Sequence, residues 1–328
     1  MGNAGWSVGK FIAKRLLQLV PILVGITFLS FALMQLAGGD YVTAMLENTG
    51  VAVTQEVIDA RKAELGLDRP FIEQYLSWLV GLLHGDMGTS FVSGKDVFAT
   101  FVQHLPATLL LTLSSVVATL VISVPLGVYS ATHHNRAADY IVRVTCFVGN
   151  SLPNFFVALL LIYVFALVLG WLPVISPMPT LGASGVDLTG LVLPTATLAI
   201  AMVSKYTRQI RAAVLEELGK PYVAAARSRG VAGRTVLFKS VLKSCMLLIV
   251  TLLALSIGDL LGGTAIVETI FMWDGVGKLA VDSITMRDYP MIQAYVVWMA
   301  IIYVLVNLVS DILYRALDPR VAQQEVKA

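Results

Sequence analysis

The sequence predicts an all-α integral membrane protein with about six transmembrane helices, and two observations support this prediction. Of the 328 residues, 57% are hydrophobic and only 13% are charged, whereas about a quarter of the residues in soluble domains are charged. The charges are also unevenly placed, because residues 16–39, 97–135, 144–186 and 289–310 contain no Asp, Glu, Lys or Arg. About 20 apolar residues cross the hydrocarbon core of a bilayer, so several such stretches indicate a multi-pass protein.

The apolar runs between charged residues give six predicted spans. The first follows Lys10, Lys14 and Arg15. Its apolar run is too long for a signal-peptide core and no clear A-x-A site follows it, so we expect a retained helix. The third span contains Pro153, which favours a kink or a local break, and the fourth has a short uncharged stretch that begins near Pro194. The predicted spans are residues 11–36, 105–132, 141–169, 191–207, 245–267 and 292–313.

The distribution of basic residues predicts that both termini are cytoplasmic. With the N-terminus inside, most of the 23 Lys and Arg residues fall on inner segments, as the positive-inside rule expects. The sequence then divides into an N-terminal segment with the first helix (1–37), an extracytoplasmic helical segment (38–104) and a core membrane domain with the remaining helices (105–328). The basic residues left on outer segments are Arg61, Lys62, Arg69, Lys95, Lys278 and Arg287.

The outer segment 38–104 is too long to be a simple turn and carries its own helical signals. Amphipathic patterns cover residues 54–65 and Phe71–Leu83, with Gly66 and Pro70 between them. The segment contains more acidic than basic residues. Two interpretations stay open, a solvated cap and a docking surface for a soluble partner.

The inner segment 208–243 is the second long connection, and its pattern predicts a helix, a break, a short helix and a glycine turn. Gly219 and Pro221 end the first helix, three consecutive alanines favour the second, and Gly230 suits a left-handed cap. From these residues alone, an amphipathic helix lying on the lipid headgroups is an open alternative.

This segment resembles the coupling loop of permease subunits from ABC importers for dipeptides, oligopeptides and nickel. The family motif is EAA, three variable residues and Gly. Here Ala225 and Ala226 stand at the motif alanines, Gly230 stands at its glycine, and Ala224 replaces the usual Glu. Further matches cover nearly the whole chain in the family's order. They are Leu105-Pro106-Ala107-Thr108-Leu109, Ser151-Leu152-Pro153-Asn154-Phe155, Gly262-Gly263, Glu268-Thr269-Ile270-Phe271, Gly275-Val276-Gly277, Arg287-Asp288-Tyr289-Pro290 and Asp318-Pro319-Arg320.

The chain departs from the family pattern after the coupling loop. Ser240, Ser244 and Leu248 stand where the family often has His, Asn and Pro. These positions lie between the loop and the fifth predicted span. The departures therefore concern the detailed coupling contacts rather than the family.

The resemblance implies the channel-forming subunit of an ATP-driven importer that works by alternating access. It implies a second homologous permease, two ATP-binding subunits, an extracytoplasmic substrate-binding protein and membrane lipid as partners, and no nucleic acid. ATP and Mg are expected on the partner subunits, because the chain has no G-x-x-x-x-G-K-[ST] run. The chain itself is therefore expected to bind no cofactor or metal and not to be an enzyme. The residues expected to couple to the ATPase are Lys220, Pro221, Tyr222, Ala224, Ala225, Ala226, Arg227, Arg229 and Gly230.

Four residues are candidates for the translocation path or its gate. Asp259 and Glu268 are ionisable and fall within or beside the fifth predicted span, where such groups usually face a cavity or a partner. Pro153 and Asn154 belong to the matching motif of the third span. For Asp259 a packing role against a neighbouring helix is the alternative, since nearby glycines allow close helix approach.

The substrate stays open between peptides and a nickel complex. The four histidines, His84, His104, His133 and His134, are scattered, whereas the glycines of the fifth span and the motif at 318–320 lean slightly towards nickel. Two other classes are kept. An ion-gradient-driven secondary transporter would show an inverted repeat with broken helices, and a non-pumping channel subunit would have no ATPase partner.

Overall fold

The computed structural model describes residues 17–18, 20–33, 54–64, 68–175, 181–182, 185–186 and 188–317. These residues are almost entirely helical. The exceptions include a two-residue antiparallel pairing of β1 (Leu181–Gly182) with β2 (Gly185–Val186). In chain order the helices are α1 (Val20–Leu33), α2 (Gln55–Glu64), α3 (Phe71–Leu83), α4 (Val97–Thr132), α5 (Ala137–Ser151), α6 (Asn154–Leu161), α7 (Thr189–Leu218), α8 (Pro221–Ser228), α9 (Gly233–Val236), α10 (Leu242–Ile270), α11 (Val276–Met286) and α12 (Tyr289–Leu317).

Three helical stretches of the described residues are long and apolar enough to cross a membrane: Val97–Thr132, Gly233–Gly258 and Tyr289–Val309. They correspond to the second, fifth and sixth predicted spans. The third predicted span is a bent pair of helices, Ala137–Ser151 and Asn154–Val168, which makes a fourth crossing if the pair is counted as one. The structure is therefore helical with three to four apolar spans, and the count of six remains a prediction.

The described helices of the first and fourth predicted spans are not both long and apolar enough to cross a membrane. Within the predicted first span, α1 is a shorter apolar helix over Val20–Leu33, and the ends of that span lie outside the described residues. Helix α7 contains the predicted fourth span but mixes its apolar residues with several threonines, Pro194 and Lys205. Length is thus sufficient in α7, whereas its composition is less apolar than that of α4 or α12.

The break in the third span occurs at the predicted proline. Helices α5 and α6 meet at an angle of 103°. Pro153 has no backbone N–H to continue the α5 ladder, and Leu152 before it is extended, with ψ 131°. The carbonyl of Pro153 then accepts a hydrogen bond from Phe156 N at 3.0 Å, which starts α6. A π-helical stretch, Ile162–Val168, continues α6.

Helices α2 and α3 fall where the amphipathic patterns predict them. Aromatic rings hold α3 against α1. Tyr75 contacts Phe28 and Phe31 edge to face, with ring centroids 5.4 and 5.6 Å apart, and its hydroxyl lies 3.0 Å from Thr27 Oγ1. The placement of these helices outside the membrane remains a prediction.

The chain forms two compact units, one within Met1–Pro106 and Leu279–Val304, the other within Ala107–Lys278 and Leu305–Ala328. The first unit has a small core around Met87, Val97, Met291 and Ala294. Beside this core the buried Asp288 accepts hydrogen bonds from the Ser90 hydroxyl and from Phe91 N. These bonds fix the loop between α3 and α4.

The second unit contains two buried clusters, which we name after their central residues. The Trp273 cluster joins α4, α6, α7 and α10 through side chains such as Leu111 and Leu198. The Val223 cluster joins α4, α7, α8 and α10 through side chains such as Val214 and Cys245. The short helix α8 is therefore part of a packed core on one of its sides.

Candidate functional site

Helix α8 is a short helix with one buried side and several exposed residues. It begins at Pro221, which occupies the first helical position, where a missing N–H costs nothing. Val223 is fully buried in the Val223 cluster and Ala226 packs against that cluster. The remaining residues that the sequence assigns to ATPase coupling are all exposed: Lys220, Pro221, Tyr222, Ala224, Ala225, Arg227, Arg229 and Gly230.

The C-terminal end of α8 is closed by the predicted glycine. Gly230 has φ +78°, the left-handed conformation. Its N–H donates to the carbonyl of Arg227 at 2.9 Å, and the N–H of Val231 donates to the carbonyl of Ala226 at 3.2 Å. This pair of bonds is the Schellman arrangement. Side chains with a Cβ are strained at such a φ, so the position favours glycine.

The N-terminal end of α8 is tied to α7 by a buried carboxylate that the sequence analysis did not single out. Glu217 accepts hydrogen bonds from the Lys220 ammonium and from the Tyr222 hydroxyl, the latter at 2.9 Å, and also interacts with the Ser244 hydroxyl of α10. Burial would raise the pKa of Glu217, but the hydrogen bonds from Lys220, Tyr222 and Ser244 outweigh burial and lower it. The carboxylate thus stays ionised and joins three elements.

A second buried carboxylate joins α5 to α7. Asp139 is fully buried and accepts two hydrogen bonds from Arg211, at 2.6 Å from Nε and 2.7 Å from Nη2. The Ser130 hydroxyl and the backbone N–H of Asn135 also donate to it, at 2.5 and 3.0 Å. All of its strong acceptor positions are therefore occupied, as a buried charge requires. No local sequence pattern indicates this pair, because the two residues are far apart along the chain.

Glu268, a predicted path residue, lies in a closed network at the end of α10. Its side chain is fully buried. Oε1 accepts from the Thr108 hydroxyl at 2.8 Å and Oε2 from the backbone N–H of Lys278 at 2.9 Å. Thr108 Oγ1 accepts in turn from the N–H of Val276 at 2.8 Å. Together the two side chains satisfy free N–H groups in the first turn of α11.

The glycine before α11 makes this network possible. A Cβ at Gly275 would lie 2.5 Å from both Glu268 Oε2 and Thr108 Oγ1, closer than atoms can approach. Nearby, the Trp273 indole N–H donates to the carbonyl of Ala107 at 3.0 Å. Three of the motifs recognised separately in the sequence therefore meet in one place.

The other three predicted path residues lie away from the Glu268 network or have side chains outside the described residues. Pro153 and Asn154 lie at the break between α5 and α6, where Pro153 has φ −63° and ψ 141°. Asp259 belongs to α10, but its side chain lies outside the described residues. The structure brings neither Pro153 nor Asn154 into the Glu268 network. Within the part of the chain that the structure describes, no group of three or more His, Cys, Asp and Glu residues could hold a metal ion.

These features define a class. Several long apolar helices, a broken span and a short helix between α7 and α10 together describe a multi-pass helical membrane protein. The chain belongs to the family of binding-protein-dependent transport system inner membrane components, whose model matches residues 123–323. The model for the N-terminal part of such membrane components matches residues 8–112.

Relatives and solved structures agree with this family. The oligopeptide transport system permease protein AppB of Bacillus subtilis (strain 168) is 40% identical, covering 96% of this chain and 99% of its own length. The glutathione transport system permease protein GsiC of Escherichia coli (strain K12) is 35% identical, covering 95% and 98%. This protein is thus an inner-membrane permease subunit of an ABC importer. The predicted family and importer class are confirmed, and the secondary-transporter and channel alternatives are set aside.

The fold is shared with a solved importer. Two inward-facing structures of the MetNI methionine ABC transporter match with TM-scores of 0.52 and 0.54 at 18% identity. They cover 66% and 67% of this chain and 96% of the matched chain. At this identity the match supports the permease fold and nothing about the cargo.

Proposed function

We propose that this permease imports peptides delivered by an extracytoplasmic binding protein. A second permease subunit would complete the pathway, and two separate subunits would bind ATP and Mg and hydrolyse the ATP. Two relatives are named for oligopeptides and for glutathione, a small peptide. Those names support a peptide cargo over the nickel complex that the sequence leaves open. Uptake of radiolabelled short peptides against uptake of ⁶³Ni²⁺ by the reconstituted complex distinguishes the two.

We further propose that α8 is the coupling helix and that its exposed side docks on an ATP-binding subunit. The observation that carries this proposal is that α8 has both buried residues and small exposed residues. Val223 and Ala226 hold the helix in its own core, whereas Ala224 and Ala225 are small and exposed. Small side chains let another helix or a groove approach closely, and Arg227 and Arg229 are free to meet acidic groups at the rim.

The contacts of α8 supply a mechanical route into the membrane. Glu217 ties its first turn to α7, and the Val223 cluster ties its buried side to α7 and α10. Because packed cores move as bodies rather than deform, a displacement of α8 would carry these helices with it. ATP-driven closure of the partner subunits would in this way switch the pathway between outward and inward access.

The docking proposal is tested by Ala225→Glu in the assembled importer. A larger, charged side chain on the exposed side should block docking, so we expect uptake to fall at least tenfold while the permease still inserts and assembles its own fold. Ala212→Glu, also at an exposed alanine of the 208–243 segment, is the matched control and should leave uptake near normal. Normal uptake by Ala225→Glu would overturn the docking assignment.

Ala226 is less suited to this test than the sequence suggests. The sequence predicts that Gly230→Pro and Ala226→Glu both separate ATP hydrolysis from transport. In the structure Ala226 is half-buried against the Val223 cluster, so a Glu there would disturb packing as well as docking. Ala225 separates the two effects because its side chain is exposed.

For the path residues we propose different roles. Asp259 and the break at Pro153 and Asn154 would line or gate the pathway, while Glu268 would hold α11 in place without contacting cargo. Glu268→Gln should therefore lower the thermal unfolding temperature of the detergent-solubilised permease and leave the peptide concentration for half-maximal uptake unchanged. Asp259→Asn should change that concentration or the uptake rate at unchanged unfolding temperature. The opposite pattern in the two variants would reverse the assignments.

A further inference from the structure

A groove between α5 and α7 combines apolar walls with arginine side chains. It is a cavity of about 340 Å³, within the size range of small-molecule sites. Its walls are mainly apolar, but three arginines line it. The lining residues include Tyr140, Arg143, Phe147, Arg208 and Arg211.

The arginines leave the groove with an excess of positive charge. Arg211 is neutralised by Asp139, which it binds through two nitrogens. Arg143 lies over the ring of Tyr140, 4.4 Å from its centroid, with 41% of its side chain exposed. Among the described residues Arg143 pairs with the same Asp139, with Nε 4.0 Å from Oδ2, and the acceptor positions of that carboxylate are already filled.

Arg208 adds a further positive charge on the α7 wall. Its side chain is exposed, and within the described residues no ion pair involves it. One buried carboxylate therefore stands against three guanidinium groups. An anion that enters the groove would meet Arg208 and also Arg143, whose pairing with Asp139 is long and is shared with the closer Arg211.

The groove continues as an apolar cavity. A second cavity of about 840 Å³ shares Val144 with it and is lined by α4, α5 and α7. Its walls are mostly aliphatic side chains, among them Val148, Leu191 and Val203, and a few hydroxyl groups also line it. A cationic mouth joined to a long apolar wall matches the shape and polarity of a phospholipid with an anionic headgroup.

The arginines also lie at the right depth for a headgroup. Arg143 lies in the first turn of the third predicted span (141–169) and Arg208 directly follows the fourth, both near the cytoplasmic boundary predicted from the basic residues. Basic pockets between membrane helices on that side favour anionic lipid headgroups. We propose that this groove is a binding site for an anionic phospholipid, with its phosphate between Arg143 and Arg208 and an acyl chain along Val144 and α7.

The binding test uses the full chain in detergent with equal amounts of phosphatidylglycerol and phosphatidylcholine, and counts retained lipids by native mass spectrometry. We expect phosphatidylglycerol to be retained preferentially. Arg143→Gln with Arg208→Gln should reduce that preference by about fivefold for each arginine removed. Arg136→Gln, at an exposed arginine outside the groove, is the matched control and should keep it.

Further outcomes keep the proposal open to refutation. A variant with Lys at both positions keeps the charge and should keep the preference, which separates lost charge from lost fold. No preference in the unaltered chain, an unchanged preference in the double Gln variant, or displacement of the lipid by inorganic phosphate would overturn the site. None of these measurements depends on transport, so failure here is distinct from failure of the proposed function.

A crosslink identifies the occupant in the assembled importer. Val144 lines both cavities and is replaced by a photoreactive amino acid. The residue is activated by light in native membranes, and the mass of the adduct is measured by mass spectrometry. An adduct of phospholipid mass supports the proposal. An adduct with a polypeptide would show that a second permease subunit covers the groove, and would overturn it.

Discussion

At the scale of single residues, two buried carboxylates hold the elements around α8 in register. Asp139 joins α5 to α7 and Glu217 joins α7 to α8. A buried carboxylate is tolerated when each of its oxygens is matched by a donor, and loss of the partners leaves an uncompensated charge. Arg211 and Glu217 both lie near the C-terminal end of α7, so a change at either carboxylate site should alter the position of α8.

Glu217→Ala tests whether this carboxylate positions α8. Removal of the acceptor leaves Lys220 and Tyr222 without their partner. The expected loss of local stability is about 1–2 kcal/mol, because the Tyr222 hydroxyl donates to a charged acceptor and such hydrogen bonds contribute about 1.5–3 kcal/mol when well buried. Backbone amides of residues 221–228 should exchange with deuterium about 5 to 30 times faster, as read by mass spectrometry.

The neighbouring residue is the control for this prediction. Glu216 is exposed, so Glu216→Ala should leave the exchange rates of α8 unchanged. Equal effects of the two variants, or no effect of Glu217→Ala, would show that the carboxylate does not hold the helix.

Sequence reasoning reaches some of these residues and not others, for a physical reason. Gly230 is recognisable because a left-handed turn favours glycine, and the alanines are recognisable because they favour a helix and match the family motif at fixed local spacing. Glu216 and Glu217 are adjacent and chemically identical, so local spacing cannot say which one turns inward. The Asp139–Arg211 pair depends on how α5 packs against α7, and a single sequence carries no signal for that contact.

At the scale of elements, α8 owes its bounds to its two ends. Pro221 is preorganised for a first turn and Gly230 permits the left-handed cap, which is why the sequence predicts this helix closely. The π-helical continuation of α6 over Ile162–Val168 was not predicted. Its apolar residues suit an α-helix equally well, so only the packing of the whole segment distinguishes the two.

Gly230→Ala tests the cap of α8. An alanine in the left-handed region costs about 1–2 kcal/mol, and the last turn of α8 should fray in response. We expect peptide uptake to fall several-fold at unchanged permease content of the membrane. Gly233→Ala is the matched control, because Gly233 has no positive φ and open space around its Cβ position. Equal uptake by the two variants would contradict a role for the cap.

At the scale of the whole molecule, the order of the motifs acquires a structural meaning. Thr108, Glu268 and Gly275 come from three motifs spread along the chain and meet in one buried network. A pattern that is weak in any single motif is therefore strong in combination, because the fold needs all of the partners at once. The orientation in the membrane rests on a different kind of evidence. The side on which each loop lies is predicted from the distribution of basic residues and not from contacts in the fold.

Both predicted sides of the membrane can be tested with one reagent. Ala225 and Ser93 are exposed and are predicted to lie inside and outside, respectively. Each is changed to Cys in a chain in which the buried Cys146 and Cys245 are replaced. The vesicles contain the permease without its ATP-binding subunits, which would otherwise cover Ala225. A membrane-impermeant maleimide should label Ser93→Cys and spare Ala225→Cys in right-side-out vesicles, and the reverse should hold in inverted vesicles. Labelling of both positions from one side would contradict the odd number of crossings predicted between them, and with it the six-span arrangement that places α8 beside the ATP-binding subunits.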